Sequence, residues 1–489
     1  MTARARVQRV VPGHAVLIIA CMAQFMVVLD ISIVNVALPS MRRALDLTPA
    51  GQQWIVNAYT LVFGGCLLFG GRAADIYGRR RAFVTGLVIF TVSSLVGGLA
   101  QSGGMLVASR AVQGFGAAIL APATLSLITT TYTEPAARTR ALTAWGAMAA
   151  TGGAFGAVLG GVLTDAFGWR AVLFVNVPIG AALLVAALAT LEELKRDARS
   201  RTLDLPGTIT VTGGLALFIY AMVTTDKHAW GSFHTIGLLA LSGLILAAFI
   251  AIELRSKDPM VPLGIFRNRA LSGANAIGLL LGGVIAGQIF FMSLYLQQVN
   301  GYSPLHAGVV LLVPTAGAFA ASIIAGRIVG RVGPRAILIG GPLIGAVGSI
   351  GLAQLDPNGS ALSFMVPALV TTLGCASCFV PMTMSATAGV EMRDAGLASG
   401  LINSSRQIGS AVGLAALVTV ATSHTKGLLR SGDHRLPGAL TAGYDRGFLI
   451  TAFMAVTMAA VAAIVLPRIP TPQRAPVDHA ETGVALEAS

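Results

Sequence analysis

The sequence predicts an all-α membrane protein in which fourteen transmembrane helices form two six-helix halves plus two additional central helices. Three observations predict this fold class: the composition, the number of long apolar stretches, and the placement of the basic residues. Of the 489 residues, 55% are hydrophobic and only 11% are charged, against about 25% in an average soluble protein. A soluble enzyme and a disordered protein are both excluded, since each needs many more charged groups in contact with water.

Fourteen stretches are long and apolar enough to cross the hydrocarbon layer, which requires about 20 residues of helix. The first is too long for the apolar part of a signal peptide, so we interpret it as an uncleaved span. The 58 glycines supply the small residues that let membrane helices approach closely. The predicted spans are 15–38, 54–71, 82–100, 105–129, 141–163, 171–190, 207–224, 235–252, 271–295, 305–326, 336–354, 362–388, 396–420 and 447–466.

The basic residues lie mainly on one side of these spans. With a cytoplasmic N-terminus, the cytoplasmic segments contain 23 of the 33 Lys and Arg residues, and the opposite loops contain 8. This bias follows the positive-inside rule and predicts a multi-pass protein of the cell membrane with both termini in the cytoplasm. It also accounts for the net charge of +13 without a nucleic-acid partner, because no basic patch is interleaved with aromatic residues.

Two charged cytoplasmic segments divide the spans into groups of six, two and six. The polar, proline-containing C-terminal tail is predicted to be disordered. The predicted organisation is an N-terminal arm 1–14, a first half 15–190, a loop 191–206, two additional helices 207–252, a loop 253–270, a second half 271–466 and a tail 467–489.

An internal repeat supports the two halves. Residues 71–80 (GRAADIYGRR) follow span two, and residues 326–335 (GRIVGRVGPR) follow span ten. Both contain the frame G-R-x-x-x-x-x-G-x-R, at an offset of 255 residues. The same loop therefore recurs in each half, as expected of transporters built from parallel repeats.

Two charged residues lie within the predicted spans of the first half. Asp30 is the one acid placed deep in a span, and a carboxyl in an apolar helix is suited to carry a proton because its charged form is costly there. Arg110 keeps its charge and can tune a nearby carboxyl. The alternatives for Asp30 are that it only holds helices together by hydrogen bonds or that it contacts a cationic substrate directly. The alternative for Arg110 is that it lies near the membrane edge and extends its side chain to the polar interface.

Two glycine-containing segments suggest moving contacts. The loop after span two combines glycines with an acid and several arginines, which predicts either a cytoplasmic latch of ion pairs or only the positive-inside signal. Span five repeats small residues every four positions, which predicts close helix contact, either sliding or static. The residues concerned are Gly71, Arg72, Asp75, Gly78, Arg79 and Arg80 in the loop and Gly152, Gly156, Gly160 and Gly161 in span five.

Polar and aromatic residues scattered through the spans suit a cavity for amphipathic compounds, although each alone is also explained by packing. The arginine of span thirteen either binds an anionic substrate group or anchors helix packing. The candidate cavity residues are Gln24, Phe25, Asn57, Gln113, Phe115, Gln288, Phe291, Tyr295, Asn403 and Arg406.

Other chemistry has little support in the sequence. No phosphate-binding G-x-x-x-x-G-K-[ST] segment, metal-ligand cluster or nucleophilic triad is evident, so we expect neither a catalytic site, a metal nor a cofactor other than the coupling proton. Prolines within spans can kink them, because a proline nitrogen cannot donate a hydrogen bond. These prolines are Pro122, Pro178, Pro314 and Pro381.

Several of these motifs together resemble the major facilitator superfamily, in particular its fourteen-span drug:proton antiporter branch. The segment around Asp75 is similar to the superfamily's loop between spans two and three, and Arg110 with Gln113 is similar to the span-four motif linked to proton coupling. Residues 29–39 and 168–180 resemble further motifs of that branch. One departure is Ala157, where the antiporter motif of span five usually has proline.

The resemblance implies an exporter of hydrophobic or amphipathic drugs that exchanges them for protons by alternating access. It implies a monomer in the lipid bilayer with small-molecule substrates. The alternative is a transporter of one narrow, possibly anionic, metabolite engaged by Arg406. A membrane subunit or sensor that transports nothing disagrees with the two matched halves and the buried acid, and a membrane-embedded enzyme lacks a set of catalytic residues.

Overall fold

A computed structural model of the protein describes residues 13–191, 204–226, 228, 230–256, 259, 261–356, 361–390, 395–431 and 436–467. Throughout this part of the chain, all regular secondary structure is helical. The α-helices are α1 (Gly13–Ala44), α2 (Pro49–Tyr77), α3 (Arg79–Gly98), α4 (Gly103–Thr131), α5 (Pro135–Phe167), α6 (Ala171–Phe174), α7 (Asn176–Thr190), α8 (Leu205–Val223), α9 (Phe233–Arg255), α10 (Arg269–Leu294), α11 (Pro304–Val332), α12 (Pro334–Leu352), α13 (Ala361–Ala376), α14 (Phe379–Thr387), α15 (Ala395–Ser431) and α16 (Leu436–Val465).

These helices confirm the fourteen predicted spans, by their length and composition. Spans six and twelve each consist of two helices: α6 with α7, and α13 with α14. The breaks lie just before Pro178 and Pro381, since each proline lacks the N–H that would bond the carbonyl four residues earlier. The helices that contain Pro122 and Pro314 continue through them.

The connection between spans thirteen and fourteen is much shorter than the predicted 421–446. Helix α15 continues to Ser431 and α16 begins at Leu436, so only residues 432–435, which are not described, lie between them. The two extensions pack on each other, and the Thr425 hydroxyl donates a 3.1 Å hydrogen bond to the Ala439 carbonyl. The predicted ends of spans thirteen and fourteen were placed where their apolar residues end. A helix can continue beyond that point when its polar side chains reach out of the hydrocarbon layer.

The helices form two bundles, with α8 and α9 outside them. Helices α1–α7 pack together, as do α10–α16, and the bundles meet where α2 contacts α15 and α5 contacts α11. Helix α8 packs on both α2 and α15. Most of the predicted loop 191–206 and nearly all of the predicted tail lie outside the described residues, at 192–203 and 468–489.

The internal repeat has a matching backbone in both bundles. Gly78 joins α2 to α3 with φ 98° and ψ 142°, and Gly333 joins α11 to α12 with φ 81° and ψ 153°. Residues with a Cβ rarely adopt these angles, so glycine is required at both turns.

The arginine two residues after each of these glycines also makes a matching contact. Arg80 donates a 3.1 Å hydrogen bond to the carbonyl of Leu188 in α7, and Arg335 donates to the carbonyl of Ala463 in α16. Each arginine thereby ties the start of the third span of its half to the end of the sixth.

The two bundles are in contact at one membrane face. We call the face where α1 begins the proximal face and the opposite face the distal face. At the distal end, Ser293 Oγ donates a 3.2 Å hydrogen bond to the carbonyl of Asn35, and Gln297 Nε2 donates a 3.0 Å bond to that of Val36. These bonds join α10 and the segment after it to α1 on the distal side.

Candidate functional site

Asp30 lies near the middle of α1 and is fully buried. Helix α5 can approach α1 closely here because its facing residues are glycines. A Cβ at Gly152 would lie 2.7 Å from the Phe25 carbonyl oxygen, and one at Gly156 would lie 2.5 Å from Ser32 Cβ. This contact covers one side of α1, while α4 and α7 cover the side that carries the carboxyl group.

Arg110 of α4 forms an ion pair with this carboxyl group. Its Nη1 lies 2.6 Å from Asp30 Oδ2, and its side chain is 2% exposed. The Nε atom donates to the carbonyl of Ile55 at 3.3 Å, and the guanidinium carbon lies 4.3 Å above the centre of the Tyr59 ring. The structure thus places Arg110 in the bundle interior, and its alternative position at the membrane edge is not what is observed.

Two amide side chains complete the surroundings of Asp30. Gln113 Nε2 and Asn176 Nδ2 each donate a 2.9 Å hydrogen bond to Asp30 Oδ1. Asn176 also donates to Ser94 Oγ at 3.1 Å, and Ser94 donates to the carbonyl of Leu173 at 2.8 Å. Both carboxylate oxygens therefore accept hydrogen bonds.

Asn176 and Ser94 are site residues that sequence reasoning did not select. Asn176 appeared only as part of a family motif, and Ser94 looked like an ordinary small residue of span three. The available signal was the asparagine two residues before Pro178 in an otherwise apolar span. The side-chain amide of a residue at a helix break can reach a neighbouring helix, and here it donates a hydrogen bond to Asp30.

Other predicted cavity residues of the first half surround this network less directly. Gln24 and Phe25 on α1 are half-buried. Phe115 on α4 is half-buried and its ring lies 6.0 Å from that of Phe69. Asn57 is fully buried, and neither polar atom of its side chain has a hydrogen-bond partner in the structure.

Three predicted cavity residues of the second half are instead packed in its interior. Gln288 donates a 3.0 Å hydrogen bond to Ser349 Oγ. Phe291 packs against Phe448 with ring centres 5.8 Å apart, and Tyr295 stacks on Phe364 at 5.7 Å. All three are at most 2% exposed, and their role in lining a cavity stays a prediction. Their face of α10 turns toward α12, α13 and α16, which the sequence pattern could not indicate because the helix is apolar all round.

Arg406 and Asn403 lie on α15, toward its proximal end. Asn403 is exposed and Arg406 is half-buried. Arg406 Nη2 donates to Asn403 Oδ1 at 3.2 Å, and its guanidinium carbon lies 5.3 Å from the centre of the Phe379 ring. Among the described residues, no carboxylate is recorded in an ion pair with this cation, in contrast to Arg110.

The predicted gating loop is mostly helical: residues 71–77 form the proximal end of α2, Gly78 makes the turn, and residues 79–80 begin α3. Arg72 Nη1 donates a 3.0 Å hydrogen bond to the carbonyl of Pro259, in the segment that follows α9. Gly71 is helical and packs on Pro122, and Arg79 is the first residue of α3. The side chain of Asp75 lies outside the described residues, so the predicted latch of ion pairs stays a prediction.

The glycines of span five have different neighbours in the two bundles. Gly152, Gly156 and Gly160 face α1, and Gly161 faces α11, where a Cβ would lie 2.6 Å from the Pro304 carbonyl oxygen. Helix α5 is therefore packed tightly against its own half and against the other half. The contact is close, as predicted, and whether it slides stays open.

Comparisons with known proteins agree with this geometry. The sequence model of the Major Facilitator Superfamily matches residues 20–414. The chain is 41% identical over 462 residues to the cephamycin export protein CmcT of Amycolatopsis lactamdurans, which covers 93% of this chain and 92% of the relative. It is 39% identical over 454 residues to the puromycin resistance protein pur8 of Streptomyces alboniger, covering 92% and 89%.

Solved structures show the same fold at low sequence identity. A bacterial homologue of the human lysosomal transporter Spinster, in an inward-facing and occupied conformation, superposes with a TM-score of 0.67 at 17% identity, covering 92% of this chain and 96% of that one. A D-xylose–proton symporter superposes with a TM-score of 0.67 at 12% identity, covering 93% and 98%.

Proposed function

Since the chain belongs to the Major Facilitator Superfamily, we propose that it exports hydrophobic or amphipathic compounds, antibiotics among them, in exchange for protons. It works in the cell membrane with both termini in the cytoplasm, as the bias of basic residues toward that side supports. The proximal face is then cytoplasmic. The names of the relatives support an antibiotic or drug as substrate, because the two most similar ones described above export or confer resistance to such compounds.

The observation that carries the proposal is the buried ion pair between Asp30 and Arg110. An ionised carboxylate in the membrane interior needs a partner, and here a cation and two amides supply it. When the helices move and these donors separate from Asp30, the neutral form becomes favoured and the carboxyl takes up a proton. Alternation between the two arrangements therefore couples helix movement to proton binding.

Alternating access supplies the exchange. With the distal side closed, the site exchanges with the cytoplasm: Asp30 releases its proton, and a substrate enters between the halves. Rocking of the halves opens the distal side, releases the substrate and lets Asp30 take up a proton from outside. The membrane potential contributes about 2.3 kcal/mol per charge per 100 mV to this cycle.

A second candidate function is transport of one narrow, anionic metabolite. The observation that favours it is Arg406, a cation that pairs with the Asn403 amide and the Phe379 ring rather than with a carboxylate. Such a cation is suited to bind a carboxylate or phosphate group of a substrate.

Proteoliposomes with an imposed pH gradient test the proposal. Asp30→Asn keeps the size of the side chain but cannot exchange a proton, so substrate transport driven by the gradient should fall to background. Glu134→Gln, which changes an exposed acid before α5, is the matched control and should transport like the wild type. Gradient-driven accumulation by Asp30→Asn that equals the wild type would reject Asp30 as the proton carrier.

The substrate panel separates the two candidate functions. Compounds that are neutral, cationic or anionic, all of amphipathic character, are offered to the same vesicles. Export of several unrelated compounds supports a drug exporter. Transport of a single anionic solute, abolished by Arg406→Gln but not by substitution of exposed arginines, supports the narrow transporter.

A further inference from the structure

Helices α8 and α9 lie outside the two halves, and their proximal ends carry two buried acids. Asp204 precedes α8 and caps it, because its Oδ1 accepts a 2.8 Å hydrogen bond from the Gly207 amide. Glu253 lies in the last turn of α9, and its Oε2 accepts a 3.0 Å bond from the Val261 amide. Asp204 is 8% exposed and Glu253 is 3% exposed.

The second oxygen of each acid is the unusual feature. Asp204 Oδ2 and Glu253 Oε1 are buried, and no donor among the described residues reaches either atom. The two side chains face each other within hydrogen-bonding reach. Two ionised carboxylates repel each other at this separation, and a buried oxygen without a donor is costly. One proton placed between the two oxygens removes both penalties at once.

The surrounding charges fit a pair that carries one negative charge. Among the described residues, the charged groups that act on Glu253 are Asp204 and the cation Arg72 of α2. Arg72 also donates to the carbonyl of Pro259, two residues before the amide that bonds Glu253. One connected polar cluster therefore lies at the proximal face. It consists of the carboxyl pair, the segment after α9 and the proximal end of α2.

We propose that Asp204 and Glu253 form a second protonation site, which holds one proton between two carboxyl groups and so keeps α8 and α9 docked on the Arg72 end of α2. The site is separate from Asp30 and does not depend on the proposed export function. Loss of its proton leaves two buried negative charges beside one cation. The cluster then loosens, and with it the contact between the additional helices and the segment predicted to gate the cytoplasmic side.

Amide variants of the full-length protein test the site. In Glu253→Gln or Asp204→Asn, an amide N–H can take the place of the shared proton, and asparagine caps a helix as well as aspartate does. Glu134→Gln serves as the control, because it removes an exposed acid on the same face. Infrared difference spectra detect a protonated carboxyl group, and thermal melting is followed from about pH 6 to about pH 9.

A shared proton makes definite predictions for both measurements. The wild type at about pH 6 should show the carbonyl absorption of a protonated carboxyl group, which both amide variants lose and Glu134→Gln keeps. Since the native pair binds a proton that the unfolded chain releases, raising the pH should lower the melting temperature of the wild type. Over the same pH range, the melting temperatures of the amide variants should fall by about 2–4 °C less than that of the wild type.

Each contrary result overturns the proposal. A wild type without the protonated-carboxyl absorption at about pH 6 has no shared proton. An absorption that persists in both amide variants belongs to another group. Equal dependence of the melting temperature on pH in the wild type and in whichever amide variant is isolated folded shows that the pair binds no proton in the native state.

Discussion

The two halves of the molecule share a scaffold but differ in chemistry. Gly78 and Gly333 adopt matching positive φ angles, and Arg80 and Arg335 make matching contacts to the last helix of their own half. These features maintain turns and helix ends, so they are needed in each bundle. The charged network around Asp30 is present in the first half alone among the described residues.

The position equivalent to Asp30 is apolar. Gly152 of α5 packs on the Phe25 carbonyl of α1, five residues before Asp30, and Gly409 of α15 packs on the Leu279 carbonyl of α10, five residues before Val284. Asp30 and Val284 are both fully buried. The same helix crossing thus surrounds a carboxylate in one half and a small apolar side chain in the other.

The position equivalent to Arg110 is apolar as well. Gly116 of α4 packs against α3 as Gly374 of α13 packs against α12. Six residues before these glycines lie Arg110 and Ala368, each almost fully buried. A bundle of this shape therefore does not need the ion pair to fold. The difference agrees with the proposed role of the ion pair in transport, a role that belongs to the first half.

The largest expected effect comes from removing one partner of the pair. Arg110→Met leaves the Asp30 carboxylate buried without its cation, which should lower the free energy of unfolding by about 3–5 kcal/mol. Asp30→Val/Arg110→Met makes the first half apolar like the second and should regain most of that stability while transporting nothing. Chemical denaturation and vesicle transport measure the two outcomes.

Two results with these variants would contradict the comparison between the halves. An Arg110→Met protein as stable as the wild type would mean that Asp30 does not depend on the cation. Gradient-driven transport by the double variant would mean that the second half, or another group, carries the proton.

Tight glycine contacts should respond alike in both halves. Gly156→Ala places a methyl group 2.5 Å from Ser32 Cβ, and Gly413→Ala places one 2.5 Å from Gly283 Cα. Each should cost about 1–3 kcal/mol in unfolding free energy through overpacking. Gly146→Ala is the control, since a Cβ there has no neighbour within 4 Å. A cost in only one half would show that the two crossings are not equivalent.

The turn glycines should give a smaller, matched effect. Gly78→Ala and Gly333→Ala force an alanine into a positive φ angle and should each lower the unfolding free energy by about 1–2 kcal/mol. Gly330→Ala, in the adjacent helical turn with open space around it, should be neutral or stabilising. Thermal melting of the three purified proteins checks this order, and unchanged melting of both turn variants contradicts it.

The smallest effect is expected for the repeated arginines. Arg80→Gln and Arg335→Gln each remove one hydrogen bond to a helix-end carbonyl, so we expect losses of about 0.5–1.5 kcal/mol. Comparable losses of stability in the two variants would support the structural equivalence of the two halves. A large loss of export activity in one variant with unchanged stability would indicate that this arginine takes part in gating.

Much of the fold could be predicted from the sequence, because a membrane span needs a fixed length of apolar helix. All fourteen spans were found in this way, and the frame shared by residues 71–80 and 326–335 marked the duplicated loop. The helix ends were less predictable, as the long α15 shows, since polar residues extend a helix beyond the hydrocarbon layer. In the site, Asp30 and Arg110 stood out because a charge in an apolar segment is costly.

Side-chain facing was decided only by the tertiary structure. Helices that are apolar all round do not reveal which side meets the partner helix, so Phe291 and Tyr295 could not be recognised as packed residues, nor Asn176 as a ligand of Asp30. The charges that the sequence displays one at a time became a network only when α1, α4 and α7 came together. Hydropathy determines that a segment enters the membrane, whereas the close contacts of glycines and amides determine what it meets there.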